Sequence, residues 1–479
     1  MPTALSALMR HQRLIIFLFL TALVVMGFWT RIGVFRESSR IFVGIDEIVY
    51  CRMAKQVSQD WREYHTIPFG HELKATREYV PDYFFQPLFK HPPTFTFLVA
   101  GALKLFGLHR VSAATVPVLF GVLLIPLTYL IGSLFWGRLT GLLAAVLVYI
   151  DPITIMCSQK IWPDTTLAFF MVLTLYLFIR ALRSGCDIFF VYAGLALGTA
   201  LLTKYPAALV LMGIMIYAFL YQRELFRNKR FVLGLFVVPV LLLLPWLFWN
   251  YLVYGLEALS RHAELRDLFS KVLTREIMAL VLVAGGSGYW FLYRRRNTRE
   301  VAWPQALQVT PRVRKYWPVI IGLFFLILLR GNLACGFVYN CLPIISWHAG
   351  FFNRYPAYFY FSQLIEYSLV YALGFFFLLT FHPAEEKEIA PIRLVSLVIL
   401  IFFTAWGGYQ SRYILPLVPL LLILGTRTWL AGYRFFARLP RRSLSLLGRT
   451  AWVILLVFVI SRTLYINATL SYTNDMCYF

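Results

Sequence analysis

The chain has 479 residues, of which 60% are hydrophobic, 18% aromatic and only 14% charged. Soluble domains carry roughly 25% charged residues, and the mean hydropathy here is +0.70, so the composition excludes an ordinary soluble protein. The net charge is +23, which in a soluble chain would suggest nucleic-acid binding. Here the basic excess lies mostly in short loops between apolar runs, where it orients membrane spans. We therefore predict no nucleic-acid partner.

The first apolar run, at residues 14–29, follows Arg10 and Arg13 and so resembles an export signal. No small-residue cleavage site follows the run, and Arg31 comes soon after it. We predict an uncleaved first spanning helix with its N-terminus in the cytoplasm.

Apolar runs long enough to cross a bilayer recur along the rest of the chain. They lie near residues 113–135, 139–156, 165–182, 188–203, 206–221, 231–252, 277–293, 316–329, 364–381, 392–407, 413–426 and 450–466. A further run near 94–107 contains Lys104 and has only about 14 residues, fewer than a crossing needs. The pattern predicts an all-α polytopic membrane protein.

The short run at 94–107 decides the orientation of every helix after it. If it does not span, the basic clusters at 223–230, 294–315 and 427–449 all face the cytoplasm, and if it spans, most of this asymmetry inverts. The positive-inside rule therefore predicts about 13 transmembrane helices and an outer C-terminus. It also predicts a long first outer loop, with juxtamembrane helices, over residues 31–112.

Acidic residues stand out in two of the predicted outer loops. Asp46 and Glu47 open an amphipathic segment that also contains Tyr50, and Asp164 follows a proline at the start of a predicted helix. Acids at these places can simply complement a helix dipole or cap a helix. Ionisable residues at a membrane edge are also functional candidates, so we predict Asp46, Glu47 and Asp164 as catalytic residues.

The same outer face gathers basic side chains that could bind an anionic headgroup. They are Lys90, His91, Lys160, Lys204, Arg261, His262 and Arg412. Each could instead be an interfacial or solvated charge. Sugar transfer from a lipid phosphate needs both acidic and basic groups at one site. A carboxylate can act as general base on an acceptor hydroxyl, and cations stabilise the leaving phosphate. An apolar groove between helices would hold the polyprenyl tail.

Five motifs follow one another along the chain. They are Asp46-Glu47-x-x-Tyr50, His91-Pro92-Pro93, Pro163-Asp164, Gly194-Leu195-Ala196-Leu197-Gly198 with Leu202-Thr203-Lys204-Tyr205-Pro206, and Arg412-Tyr413-x-Leu415-Pro416-x-x-Pro419. In this order they resemble the GT-C glycosyltransferases of the family-39 and family-83 type. Those families include protein mannosyltransferases, lipid A aminoarabinose transferases and rhizobial galacturonosyltransferase-like proteins.

The resemblance implies a GT-C fold over residues 1–427, which includes the outer loop 31–112. Residues 428–479 are expected to form a basic cytoplasmic loop, a last spanning helix and a short outer tail. The large extracytoplasmic domains of some relatives are therefore not expected. The implied activity is inverting transfer of a hexose or pentose from a polyprenyl phosphate to an extracytoplasmic acceptor. That acceptor is an envelope glycolipid, a polysaccharide or a protein, and the enzyme lies in a bacterial inner membrane.

The resemblance also assigns roles to single residues. Asp46 is the catalytic base or orients the acceptor, Glu47 assists it, and Asp164 is the second acid of the family. Tyr50, His91 and Arg412 contact the donor, and Lys204 matches a family lysine. To these the residue pattern adds further candidates for binding the donor phosphate or sugar, namely Lys90, Lys160, Arg261 and His262. Some relatives use a metal, so a divalent metal is left open as a cofactor.

The six cysteines include no CxxC pair, so neither a zinc motif nor a redox motif is predicted. Cys335 and Cys341 could pair on the outer face.

Two other functions compete with sugar transfer. A transporter or flippase of a lipid-linked precursor would use Asp46 and Asp164 for coupling, but such sites lie near the bilayer midplane and often occur in repeated halves. The chain shows no such repeat, and both acids lie at predicted helix ends or in loops. A non-catalytic scaffold is the third alternative, and the intact pair of acids argues against it.

Overall fold

The computed structural model describes residues 2–36, 45–76, 80–257, 359–380, 386–406, 410–440 and 442–469, and within these ranges every regular element is helical. The helices are α1 (Pro2–Gly33), α2 (Ile45–Gln59), α3 (Ile67–Thr76), α4 (Thr94–Phe106), α5 (Arg110–Trp136), α6 (Arg138–Tyr149), α7 (Pro152–Ser158), α8 (Asp164–Ser184), α9 (Ile188–Leu201), α10 (Ala208–Tyr221), α11 (Lys229–Tyr254), α12 (Phe359–Tyr367), α13 (Val370–Leu379), α14 (Glu386–Trp406), α15 (Leu417–Ala437) and α16 (Arg442–Thr469). The predicted all-α membrane fold is confirmed.

Five of the described helices are long and apolar enough to cross a membrane, and α6 with α7 makes a sixth span if the bent pair counts as one. The five lie in α1, α5, α8, α11 and α16. Other predicted spans appear as shorter apolar helices, such as α9, α10 and α13. The runs near 277–293 and 316–329 lie outside the described residues, so the predicted count of about 13 is not confirmed.

Two predicted segments differ in detail from the structure. The run at 139–156, predicted as one span, bends by 55° between α6 and α7, because Pro152 disfavours helical backbone at the residue before it. The predicted loop after residue 426 is largely helical, since α15 continues to Ala437. Aromatic packing between α15 and α16 accounts for this, with the Trp429 and Trp452 rings 4.7 Å apart.

Glycines set the closest helix contacts in the bundle. A Cβ built on Gly194 of α9 would lie 1.7 Å from the carbonyl oxygen of Gly234 on α11. Small residues let transmembrane helices approach this closely. The Gly194–Gly198 motif of the sequence is therefore a packing motif that brings α9 against α11.

This contact leads to a stability prediction. Gly194→Ala is expected to lower the melting temperature of the purified protein, because the new methyl group collides with backbone that cannot move aside. The matched control is Gly101→Ala in α4, where a Cβ would meet nothing within 4 Å. That substitution should leave stability unchanged or raise it by up to about 1 kcal/mol. Equal melting temperatures for the two variants would contradict the packing role.

A smaller hydrophobic cluster lies beside the main core of the bundle. It combines the buried faces of α2 and α4, the start of α5 and the segment around Phe84–Phe89. Within it Tyr50 packs edge-on against Phe89 and Phe95, with ring centroids 5.9 and 5.2 Å away. This cluster fixes α2, and with it the position of the first two acids.

Candidate active site

Asp46 and Glu47 lie in the first turn of α2 and face different environments. The Asp46 side chain is 52% exposed, whereas the Glu47 side chain is fully buried. Successive residues of an α-helix point about 100° apart, and here Val49 and Tyr50 complete the buried face. Only Asp46 is therefore open to an incoming molecule.

Arg412 holds the Asp46 carboxylate. Its guanidinium nitrogen Nη1 donates to Asp46 Oδ2 at 2.9 Å, and its Nε donates to Gln410 Oε1 at 2.7 Å. The same guanidinium lies 4.4 Å from the ring centroid of Trp162, in a cation–π contact. Three groups from separate segments therefore fix the orientation of this arginine.

The environment of Asp46 favours its ionised form. Burial alone would raise the pKa of the carboxyl, but the Arg412 charge and hydrogen bond outweigh burial, and Lys204 and His91 add to the effect. The pKa of Asp46 therefore lies below its ordinary value. The same electrostatic contacts show that Lys204 and His91 lie close to Asp46.

Glu47 and Lys160 form a second ion pair, inside the protein. Lys160 Nζ lies 3.6 Å from Glu47 Oε2, and both side chains are fully buried. Glu47 Oε1 also accepts the backbone N–H of Ile161 at 3.0 Å. These contacts tie the 160–161 segment to α2 and keep both charged groups from the surface. The sequence predicted that Glu47 assists catalysis and that Lys160 binds phosphate. The geometry instead favours a structural role for this buried pair.

Asp164 forms the third pair, with Lys204. The Lys204 Nζ lies 3.0 Å from Asp164 Oδ1, and the Asp164 side chain is 2% exposed. The side chain thus binds a lysine, and the residue before it, Pro163, occupies the N-cap position of α8. Asp164 Oδ2 is buried and accepts no hydrogen bond from the residues that the structure describes. The acceptor capacity of this oxygen is therefore unused among the described residues.

The His91-Pro92 motif lies on the same side of the small cluster. Tyr64, which the sequence did not single out, donates its hydroxyl to His91 O and Pro92 O at 3.0 and 3.2 Å. The Tyr50 and His91 rings are 6.4 Å apart, and Lys90 and His91 are half-buried. Burial, followed by the Asp46 charge, raises the pKa of Tyr50 well above its ordinary value, so the Tyr50 hydroxyl stays protonated.

The structure thus gathers most of the predicted site residues. Asp46, Tyr50, Asp164 and Arg412 interact electrostatically, as do Asp46, His91 and Lys204. Arg261, His262, Cys335 and Cys341 lie outside the described residues. Within the described ranges, no group of three or more His, Cys, Asp or Glu side chains could hold a metal ion.

Sequence reasoning missed Trp162 and Gln410, which orient Arg412. The signal was present, since Trp162 lies inside the Lys160–Asp164 loop and Gln410 lies two residues before Arg412. Neither carries a charge, so neither was ranked.

Comparisons with known proteins bear on the family and the fold of the chain. Residues 90–249 match the family described as dolichyl-phosphate-mannose-protein mannosyltransferase. An uncharacterized protein of Aquifex aeolicus is 25% identical over 370 residues, which cover 72% of each chain.

Two solved membrane proteins share the architecture. ArnT from Cupriavidus metallidurans, bound to undecaprenyl phosphate, superimposes with a TM-score of 0.50 at 15% identity, over 96% of this chain and 76% of ArnT. The Archaeoglobus fulgidus oligosaccharyltransferase AglB, in complex with an inhibitory peptide and a dolichol-phosphate, gives 0.53 at 15% identity, over 95% of this chain and 56% of AglB. The chain has the GT-C fold. At this level of identity the likeness establishes the GT-C architecture, and this chain spans little more than half of AglB.

The GT-C resemblance predicted from the sequence is therefore confirmed at the level of the fold. The segment that matches the mannosyltransferase family contains His91, Lys160, Asp164 and Lys204. Asp46 and Arg412 lie on either side of that segment in the sequence, and the structure joins them to each other.

Proposed function

We propose that this protein transfers a sugar from a polyprenyl-phosphate donor to an acceptor on the outer face of the membrane. The observation that carries the proposal is the Asp46 carboxylate, which is half-exposed and ionised and lies among cations at one end of the helix bundle. The relatives that bind undecaprenyl phosphate and dolichol-phosphate share the fold. The sugar is a hexose or pentose, and the acceptor is a glycolipid, polysaccharide or protein of the envelope.

The chemistry follows from the charges. Asp46 takes the proton of an acceptor hydroxyl while its oxygen attacks the anomeric carbon of the sugar. The bond from that carbon to the phosphate oxygen breaks, and the bonding electrons leave with the phosphate. Arg412, Lys204 and His91 stabilise the negative charge that grows on the phosphate. Because this is a single displacement, the anomeric configuration inverts.

Arg412 has two uses in this scheme. In the structure it pairs with Asp46, which lowers the basicity of the carboxylate. A donor phosphate is a competing bidentate ligand for the guanidinium and would draw Arg412 away from Asp46. Donor binding would thereby raise the pKa of Asp46 towards its ordinary value at the moment a base is needed.

This pairing gives a pH prediction. Arg412 favours the ionised form of Asp46, so its removal leaves burial to raise the pKa of the carboxyl. Arg412→Gln is therefore expected to move the acidic limb of the pH profile of kcat/KM to higher pH. The matched control is Arg52→Gln, since Arg52 lies on α2 with Asp46 but pairs with Glu72. This substitution should leave the acidic limb unmoved. An acidic limb at the same pH in Arg412→Gln and wild type would contradict the pairing.

The proposed orientation of the protein in the membrane rests on the charge at the two ends of α8. The helix runs from Asp164 to Ser184, with Arg183 in its last turn, and is roughly 30 Å long at 1.5 Å per residue. Arg138 and Arg180 also lie at the far end, opposite the site. The positive-inside rule favours a cytoplasmic location for that end and an outer location for the site, and the proposal assigns the protein to the inner membrane of a bacterium.

A transporter or flippase is less consistent with the geometry. Coupling residues of carriers lie near the bilayer midplane. Asp46 is on α2, which is not among the described helices able to span a membrane, and Asp164 is the first residue of α8. The acids therefore lie at one face of the bundle.

The proposal is tested in proteoliposomes with a panel of radiolabelled polyprenyl-phosphate sugars and membrane extracts as acceptor. Transfer of label from one donor supports the proposal. Absence of transfer from every donor, together with movement of labelled lipid across the vesicle membrane, would favour the flippase.

A further inference from the structure

A second polar centre lies where α6 ends and α7 begins. The two helices bend by 55° at this point, which leaves helix-end carbonyls to be satisfied by other groups. Arg31 of α1 donates to Tyr149 O at 2.9 Å, and Asn467 of α16 donates to Ile150 O at 2.6 Å. Side chains from two distant helices therefore hold the end of α6.

Asp151 holds the start of α7. Its Oδ1 accepts the backbone N–H and the hydroxyl of Thr154 at 2.8 and 2.9 Å. Its Oδ2 accepts the hydroxyl of Tyr371 from α13, and Arg31 lies close enough to interact with its charge. Asp151 is 2% exposed, so both carboxylate oxygens are engaged inside the protein.

The short helix α7 is clamped on its other side by α5. A Cβ built on Gly121 of α5 would lie 2.0 Å from Ser158 Oγ, at the end of α7. The helix also packs against the Ser411–Ile414 turn, which carries Arg412. The short helix α7 therefore contacts the turn that carries Arg412.

The chain leaving α7 supplies the site directly. Residues 159–163 connect it to α8 and contain Lys160 and Trp162, and α8 begins with Asp164. The ion pair with Glu47, the cation–π contact with Arg412 and the ion pair with Lys204 all depend on where this segment lies.

A capped helix alone would not need Tyr371. Burying a carboxylate in a membrane protein is costly, and an apolar pair of similar volume is often cheaper to bury. The contact joins α7 to α13, which follows in the chain by about two hundred residues. We propose that Asp151 and Tyr371 are positioning residues. Their contact holds the bend between α6 and α7, and the bend in turn keeps residues 159–164 in the positions that the reaction needs. This inference rests on the proposed function for its catalytic consequence.

Tyr371→Phe tests the Asp151–Tyr371 contact, because it removes the hydroxyl and keeps the ring. The matched control is Tyr217→Phe, since Tyr217 is also buried, lies on α10 and stacks on Tyr221 5.6 Å away. Hydrogen–deuterium exchange of the full-length protein, followed on the peptide covering residues 152–166, reports the segment without any assay of transfer. Steady-state transfer then gives kcat and the KM for the donor.

Tyr371→Phe is expected to increase exchange in residues 152–166 and to lower kcat by at least about tenfold, since a misplacement of reacting groups by about 1 Å can cost about 100-fold. The donor KM should change much less, since the Asp151 and Tyr371 side chains are buried and paired with each other inside the protein. Tyr217→Phe should change neither exchange in that peptide nor kcat.

Unchanged exchange in residues 152–166 of Tyr371→Phe would overturn the inference, and so would equal losses of kcat in the two variants. If the wild type transfers no sugar, the proposed function fails. The exchange result alone still decides whether the Asp151–Tyr371 contact holds residues 159–164 in place. If Tyr371→Phe does not fold, Asn467→Leu removes the half-buried donor to Ile150 O and carries the same expectations.

Discussion

Replacing Asp46 with asparagine is expected to lower kcat for sugar transfer by about 100- to 10,000-fold, the range that a general base contributes. Asparagine keeps the shape of aspartate and can still accept a hydrogen bond from Arg412, but it cannot take a proton from the acceptor hydroxyl. Because the Asp46 side chain is 52% exposed, the substitution should not prevent folding.

The measurement is kcat in proteoliposomes, with donor binding determined separately. The matched control is Asp60→Asn, since Asp60 follows the other end of α2, is exposed, and accepts the backbone N–H of Arg62 at 2.9 Å. That variant should retain wild-type activity. Activity within threefold of wild type in Asp46→Asn would show that another group is the base, and Asp164, with its buried Oδ2 free of hydrogen bonds from described residues, would be tested next.

Replacing Glu47 with glutamine is expected to destabilise the protein by about 3–5 kcal/mol, because it removes the carboxylate that faces the buried charge of Lys160. Glutamine can still accept the N–H of Ile161, so the loss reports the missing charge. The measurement is the free energy of unfolding of the purified protein in detergent. Adding Lys160→Met removes the buried positive charge and should restore most of that stability.

An exposed ion pair provides the comparison for this prediction. Arg52 and Glu72 are 46% and 59% exposed, and exposed pairs contribute at most about 1 kcal/mol. Glu72→Gln should therefore have a small effect. If Glu47→Gln is as mild as Glu72→Gln, the Glu47–Lys160 pair does not tie the 160–161 segment to α2.

Much of the site could be predicted because charge is rare in this chain. Charged residues make up 14% of the sequence, so acids in outer loops stood out, and the structure joins Asp46 to Arg412 and Asp164 to Lys204. The pairing itself could not be predicted, since Asp46 and Arg412 are separated by 366 positions in the sequence.

The sequence also could not predict that the Asp46 side chain is exposed and the Glu47 side chain is buried. The two acids are adjacent, and which one faces the core depends on how α2 packs against Phe89 and Phe95 through Tyr50. That packing is a long-range feature. A helix position alone therefore could not separate the exposed acid from the buried one.

The helices were predictable to the extent that each apolar run forms one straight element. The run at 139–156 does not, because Asp151-Pro152 breaks it and side chains from α1, α13 and α16 satisfy the break. A dipeptide can signal a bend. It cannot show which remote groups hold that bend.

The configuration of the transferred sugar tests the central claim most directly. Wild-type protein in proteoliposomes, given the polyprenyl-phosphate donor that it accepts, should form a product whose anomeric configuration is inverted relative to the donor, as NMR of the product would show. Inversion is the result of a single displacement with Asp46 as base. Retained configuration, which needs a covalent sugar intermediate, would contradict the account, and so would vesicles that move the labelled lipid across the membrane but form no product.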